Sequence, residues 1–259
     1  MLIRYPGSKD KHLRFLRPYI LTAVERNPHL VEPFAGTAAI SFELLGQGKL
    51  QSYVINDLDP AMGALWRTVK TSPDLLIEAV NDFTPNVDDF YRFKEDSGNG
   101  DFELAFRKIV LHQTSYSGLG AMAGGPLGGR HQRSAYGVDC RWRPQTLAKN
   151  ILKCSELLNS VKGAITSLPW ETVLAQYADS HFVYLDPPYY VKGSALYASG
   201  TIDHEGLAKV LKNAKEWVLS YDDAPEVRAL YSWAKVNRLD VRSHLHHRVI
   251  GDLVITPNP

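Results

Sequence analysis

Apolar residues recur along this chain with two periods, and the positions where one gives way to the other mark its elements. Leu30-Val31-Glu32-Pro33-Phe34 reads as a short strand that runs into Ala35-Gly36-Thr37 and then into Ala38-Ala39-Ile40-Ser41-Phe42-Glu43-Leu44-Leu45, where the apolar spacing is helical. Tyr53-Val54-Ile55-Asn56 predicts a second strand, ending at Asp57, and residues 60–69 a second helix. From 72 to about 113 the period stays helical, carried by Leu76, Val80, Phe83, Phe102, Ala105, Phe106, Ile109 and Val110. Residues 115–143 differ in kind. Gly118, Gly120, Gly124, Gly125, Gly128, Gly129 and Gly137 predict a long adaptable loop with aromatic and basic residues embedded in it.

Alternation of strands and helices resumes downstream. Ala164-Ile165-Thr166 predicts a strand, Trp170–Tyr177 a helix, and Phe182-Val183-Tyr184-Leu185 an apolar strand that stops at Asp186-Pro187-Pro188-Tyr189. A helix over 204–213, a strand over Trp217-Val218-Leu219-Ser220, a helix over 225–233 and strands over 235–240 and 253–255 follow. The pattern is that of an α/β chain: a doubly wound sheet, interrupted between its second and third strands by a helical and loop insertion of roughly a hundred residues. The boundaries it suggests are 1–70 and 160–259 for the sheet domain and 71–159 for the insert.

Composition narrows the class without naming a partner. With 259 residues, 44% hydrophobic and 22% charged, the chain can bury a large core. Its two cysteines, Cys140 and Cys154, are too few for a disulfide framework and lack metal-ligand spacing, so both are expected as reduced thiols. No apolar run approaches the roughly 18–20 residues of a membrane span, and Met1-Leu2-Ile3-Arg4-Tyr5-Pro6-Gly7 lacks the pattern of a signal peptide. A cytoplasmic protein without a membrane partner is the expectation. The net charge of +1 is uninformative, but its distribution is not: Arg130, Arg133, Arg141, Arg143, Lys149 and Lys153 face the single acid Asp139 over one short stretch. That stretch is either a phosphate-contacting surface or an ordinary solvated one.

Three segments stand where strands of an open α/β sheet end, which is where such sheets bind ligands. In Glu32-Pro33-Phe34-Ala35-Gly36-Thr37 the glycine allows close backbone approach to a ligand, or simply makes a turn. Asp57 follows the second strand, where an acid can accept the hydroxyl hydrogens of a ribose; it could equally cap the next helix, a task for which Asp59 competes. Asp186-Pro187-Pro188-Tyr189 carries the most. Two prolines remove two backbone donors and stiffen the turn, so the Asp186 carboxylate and the Pro187 carbonyl can be held as acceptors over one small space, with the Tyr189 ring beside them. An aromatic amine that gives both its hydrogens to such acceptors becomes a better nucleophile. His244, His246 and His247 form the one histidine cluster, and without nearby cysteines they predict no metal site.

Asp186-Pro187-Pro188-Tyr189 resembles the catalytic signature of amino-group DNA methyltransferases, and Pro33-Phe34-Ala35-Gly36-Thr37 resembles their cofactor loop. Arg4-Tyr5-Pro6-Gly7-Ser8-Lys9 is similar to the segment preceding that loop in the Dam-like alpha group of adenine-N6 enzymes, and the order of segments matches from Arg4 to about Thr256. The resemblance implies a Rossmann-like methyltransferase sheet, S-adenosylmethionine as cofactor with S-adenosylhomocysteine as product, no metal, and double-stranded DNA as partner. It implies site-specific methylation of a flipped adenine at N6, at GATC or a related short site, by a monomer or weak dimer in a bacterial or phage-infected cell. It assigns the cofactor to Tyr5, Lys9, Pro33, Phe34, Ala35, Gly36, Thr37, Asp57 and Asp186, and catalysis to Asp186, Pro187, Pro188 and Tyr189. DNA contacts fall to Tyr116, Arg130, Arg133, Arg141, Arg143, Lys192 and Tyr197, the last two in the loop after the tetrapeptide. Gln113-Thr114-Ser115-Tyr116-Ser117-Gly118-Leu119 matches the GATC-reading enzymes only in part, and the glycine-rich stretch after it departs from them. The competing classes are a non-catalytic DNA-binding protein on the same fold and an RNA adenine methyltransferase.

The basic stretch yields a direct test. Neutralising Arg130, Arg133, Arg141 and Arg143 together is expected to lower DNA affinity and to flatten its dependence on salt, by a slope change of about one for each phosphate that is no longer neutralised. Titrations at several salt concentrations decide it; an unchanged slope assigns these arginines to a solvated surface.

Overall fold

The computed structural model describes residues 2–4, 13–96, 98–190, 202–242 and 249–258, with backbone alone at 240–242 and 249–251. Among them, ten α-helices and seven strands follow in the order α1 (Leu13–Arg26), β1 (His29–Glu32), α2 (Ala39–Gly46), β2 (Ser52–Asn56), α3 (Pro60–Thr71), α4 (Pro73–Asp82), α5 (Val87–Glu95), α6 (Asp101–Thr114), α7 (Pro144–Asn159), β3 (Lys162–Thr166), α8 (Trp170–Tyr177), β4 (Phe182–Leu185), α9 (His204–Leu211), β5 (Trp217–Asp222), α10 (Pro225–Leu230), β6 (Lys235–Arg242) and β7 (Val249–Thr256). They form two units: Lys9–Leu58 with Val161–Pro259, and Met1–Ser8 with Asp59–Ser160.

The first unit is a seven-stranded sheet in the order β3-β2-β1-β4-β5-β7-β6. β1 to β5 pair in parallel, and β7 runs antiparallel to both β5 and β6. The chain winds outward from β1 through β2 to β3 and then returns to lay β4 on the other side of β1, so the strand order reverses at β1. Both faces are covered, as parallel sheets require. Val31, Val183, Leu185, Leu219 and Leu253 share a core with Trp170 and Leu174 of α8, Leu207 and Leu211 of α9, and Val227 of α10. The alternate strand positions Leu30, Tyr53, Ile55, Phe182 and Val218 are buried too, and α1 packs against β4 and β5. This is the doubly wound arrangement expected from the alternation of periods.

The second unit is helical. α3 packs on α6 and α7, α4 on α7, and α5 on α6. Its interior is aromatic: the Phe83 ring meets Phe106 and Trp142 edge-on with centroids 5.4 Å apart in each case, beside buried Phe90 and Phe93. Asp59 caps α3 by accepting from the Ala61 N–H at 2.9 Å and takes the Lys108 ammonium at 2.5 Å. Burial works against its charge, yet Lys108 and these hydrogen bonds hold the carboxyl below its ordinary value. Helix α3, which the sequence pattern joins to the sheet domain, thus packs with the insert.

Two helices lie outside those the periodicity named. Pro18 interrupts the signal of α1, and α7 follows the glycine-rich stretch while carrying Lys149 and Lys153 of the basic run. Residues 115–143 are also more tightly held than their glycine content suggests. His112 Nδ1 lies 2.8 Å from the carbonyls of both Arg4 and Gly118, Ser115 Oγ accepts from the Gly120 N–H at 2.9 Å, and Gln113 Nε2 donates to the Leu2 carbonyl. Further along, Gln132 donates to the carbonyls of Leu127 and Gly129 and accepts from the Val138 N–H. Burial lowers the pKa of His112 to about 4, so it stays neutral and offers one N–H to these carbonyls. Side chain to backbone bonds of this kind replace the ladder hydrogen bonds that a loop lacks.

Gly163 of the edge strand β3 exists for its neighbour: a Cβ there would run into the ring of Tyr53, which is buried on β2. Gly163→Ala is expected to destabilise the protein by about 1–3 kcal/mol through overpacking. Urea denaturation checks this, and an unchanged midpoint would show that the Tyr53 ring can move aside.

Candidate active site

Because β1 is flanked by β2 and β4 in parallel, three chain segments leave the sheet side by side. Register pairs Glu32 with Ile55 and Val31 with Val183, so Phe34, Asp57 and Asp186 follow only two or three residues beyond paired positions. This is the edge of the sheet at which an open α/β fold binds ligands where strand order reverses. Exposure changes with depth there. Glu32 and Asn56 are buried, whereas Phe34, Gly36, Asp57 and Asp186 are only partly so.

The loop after β1 is held by two side chains from β2 and the turn beyond it. Asn56 is fully buried; its amide nitrogen donates to the carbonyls of Pro33 (2.9 Å) and Leu168 (3.0 Å), while its oxygen accepts from the Thr166 hydroxyl and the Leu168 N–H. The Asp57 carboxylate accepts from the Gly36 N–H at 2.8 Å. Gly36 (φ 50°) and Ala38 (φ 51°) both take left-handed conformations to turn the chain into α2. Asp59 rather than Asp57 caps the following helix, which settles the competition between them.

Asp186 ends β4 and is oriented from the neighbouring strand. Ser220 Oγ of β5 donates to Asp186 Oδ1 at 2.8 Å and lies 3.1 Å from the Tyr184 hydroxyl. Both prolines of the turn are buried, and the Tyr189 hydroxyl donates to Asp252 Oδ2 at 3.0 Å. Burial, then the neighbouring Asp186, pushes the Tyr184 phenol well above its ordinary pKa; the same two causes act on Tyr189. Glu32, beneath the loop, is hydrogen-bonded by the N–H and hydroxyl of Ser41 in α2. Burial raises its carboxyl to about 7, against the Ser41 hydrogen bonds and with a further push from Asp186.

The structure therefore brings together Pro33, Phe34, Ala35, Gly36, Thr37 and Asp57 with Asp186, Pro187, Pro188 and Tyr189 at one end of one sheet. In the helical unit Tyr116 is 67% exposed, and Arg130, Arg133, Arg141 and Arg143 are exposed, with the Arg130 guanidinium 5.5 Å from the Tyr91 ring centroid. Tyr5, Lys9, Lys192, Tyr197 and the histidines at 244, 246 and 247 lie outside the described residues. Among the described residues, no group of three His, Cys, Asp or Glu side chains is placed to hold a metal, and no helix is long and apolar enough to cross a membrane. Asn56 is singled out by no sequence motif; Glu32 and Ser220 lie in segments that are, Glu32–Thr37 at the end of a strand and Trp217–Asp222, which resembles the strand lining the base pocket of the family, but neither side chain has a role of its own there. The usable signal was polarity inside an apolar strand, as at Ser220 in Trp217-Val218-Leu219-Ser220.

Comparison with known proteins fits this geometry. The model of the D12 class N6 adenine-specific DNA methyltransferase family matches residues 5–245. The chain belongs to that family. It is 29% identical over 219 residues to the type II methyltransferase M1.LlaDCHI of Lactococcus lactis subsp. cremoris, an overlap of 79% of this chain and 70% of that protein. It is 26% identical over 179 residues to the type II methyltransferase M.MjaIII of Methanocaldococcus jannaschii, covering 61% of this chain and 57% of that one. Membership in the D12 class makes this chain an adenine-specific DNA methyltransferase by family.

Glu32 generates a pH prediction. Its folded pKa lies above the ordinary 4.5, so its contribution to stability is complete below 4.5 and is lost as pH rises through about 7. Glu32→Gln cannot ionise. It is expected to gain on the native protein by up to about 3 kcal/mol across that window, read from urea unfolding at about pH 5 and about pH 8. A difference that does not change with pH would mean that Glu32 ionises in the fold as it does in water.

Proposed function

We propose that this D12-class protein transfers the methyl group of S-adenosylmethionine to the N6 amino group of an adenine flipped out of double-stranded DNA, at GATC or a related short site. The observation that carries the proposal is the Asp186 carboxylate, held at the end of β4 by Ser220 beside the Phe34 to Gly36 loop. The residues at this end of the sheet suit the cofactor chemically. A half-buried aromatic, Phe34, can cover an adenine ring. Asp57, which already takes the Gly36 N–H, is a half-buried carboxylate for ribose hydroxyls. By resemblance Tyr5 and Lys9 complete the set. S-adenosylmethionine, when bound, supplies an electrophilic methyl group on sulfur.

The chain's own part is to present the amine. Asp186, with one oxygen engaged by Ser220, accepts an amino hydrogen, and the Pro187 carbonyl accepts the other. Two acceptors draw the nitrogen lone pair out of conjugation with the base, which raises its nucleophilicity where the methyl group is delivered. Tyr189 gives the base a ring to stack on. A base can reach such a site only out of the helix stack, since its amino group is otherwise paired in the groove. The exposed arginines of the helical unit supply phosphate contacts, and Tyr116 a ring at the DNA. Both relatives are named type II methyltransferases, and that is the setting this reading favours.

Asp186→Ala is expected to lower methyl transfer by about two to three orders of magnitude, the usual effect of removing a group that acts on developing charge. DNA affinity should stay within about threefold, or ~0.7 kcal/mol. Methyl incorporation and a gel-shift titration on one DNA separate the two, and sequencing that DNA with a readout of methylated adenine gives the site. Near-native turnover by this variant would remove Asp186 from the chemistry.

A further inference from the structure

Strand β7 enters the sheet antiparallel between β5 and β6, and its register sets Asp252 directly opposite Asp222 of β5. Opposed residues of an antiparallel pair project from the same face, and like charges so placed are destabilising. Aspartate is also disfavoured in strand interiors, and Asp252 is buried, with 5% of its surface exposed. For the strand alone, an uncharged residue would serve better.

Both carboxylates instead accept hydrogen bonds from the turn that follows β4. Asp252 Oδ2 takes the Tyr189 hydroxyl at 3.0 Å, and Asp222 Oδ1 takes the Tyr190 N–H at 3.0 Å. The turn is thereby tied to a strand pair 63 and 32 residues downstream. Burial and the nearby carboxylates keep the Tyr189 phenol protonated, so it remains a donor. The backbone fixes one end of the Tyr189 side chain, and a hydrogen bond at the hydroxyl fixes the other. The ring also sits beside Tyr221, with centroids 6.3 Å apart and planes inclined at 34°. A ring held at both ends presents one face in one place.

We infer that Asp252 is a positioning residue of the reaction: it acts through the Tyr189 hydroxyl to hold the ring on which the target adenine stacks. This rests on the reading of residues 186–189 as the methyl-transfer site. It deepens that reading by bringing in the last strand of the sheet.

The test is a double-mutant cycle on the full chain, following methyl incorporation from S-adenosylmethionine into adenine of unmethylated plasmid DNA. Tyr189→Phe keeps the ring and removes the hydroxyl; Asp252→Ala removes the acceptor; Asp252→Asn keeps an acceptor oxygen. Tyr189→Phe and Asp252→Ala should each lower kcat by about ten- to a hundredfold, the scale of a small misplacement, with KM for DNA and cofactor moving by less than about threefold. The doubly substituted protein should be no slower than Asp252→Ala alone, and Asp252→Asn should recover most of the loss. Losses that multiply in the double variant would overturn the inference. So would native kcat in Tyr189→Phe, a result that decides the matter even where Asp252→Ala does not fold. A native protein that methylates no adenine would overturn the parent reading, and this one with it. An active native protein with uncoupled variants overturns the positioning role alone.

Discussion

β1 is hydrogen-bonded in parallel to β2 on one side and to β4 on the other, and the site exists because of that pairing. It gathers the ends of three strands whose residues lie up to about 150 positions apart in the chain. Parallel pairing needs a crossover for each strand, and α2 and α8 with their loops provide them on a sheet buried on both faces. Register is fixed by packing on both faces, since a slip of one residue would move Val31 and Val183 from one packed face to the other and carry Asp186 away from Phe34. Core packing and site geometry are therefore one constraint.

The floor of the site is polar, and each group there is held by a named partner. Asn56 uses both ends of its amide to fix the Pro33 loop and the turn before α8; Ser220 fixes Asp186; Ser41 fixes Glu32. In a low-dielectric interior such bonds are strong, and losing one leaves a buried group unsatisfied. Glu32 and Asp186 lie close enough for each charge to disfavour another, which is part of why Glu32 keeps its proton to about pH 7. A sheet edge that concentrates acceptors in this way suits a ligand that arrives with donors, and an exocyclic amine is one.

The helical unit solves a different problem. It has to carry a long segment rich in glycine without letting it collapse or wander. His112, Gln113, Ser115 and Gln132 do so by bonding side chain to backbone at both ends of that segment. Its exposed residues include Tyr116, Tyr136 and four arginines.

Local pattern along the chain specifies the strands of the sheet and the turns at their ends. Strand periodicity, the glycine turn after β1 and the Asp-Pro-Pro-Tyr stop after β4 are local, because each depends on residues within a few positions of one another. Trp170–Tyr177 and Phe182–Leu185 form over the residues that the pattern marks. Helix α1, with Pro18 inside it, and helix α7, directly after the glycine run, fall outside the elements named from the pattern, although Leu16, Ile20, Ala23 and Val24 in one and Leu147, Ile151 and Leu158 in the other recur at helical spacing on the buried face. Tertiary contacts alone set α3 against α6 and α7, give Asp57 to Gly36, and bring Ser220 to Asp186 and Asp252 to Tyr189. Those are contacts between strands and loops far apart in the chain, and no periodicity encodes which buried hydroxyl or carboxylate will find which partner once the sheet has closed.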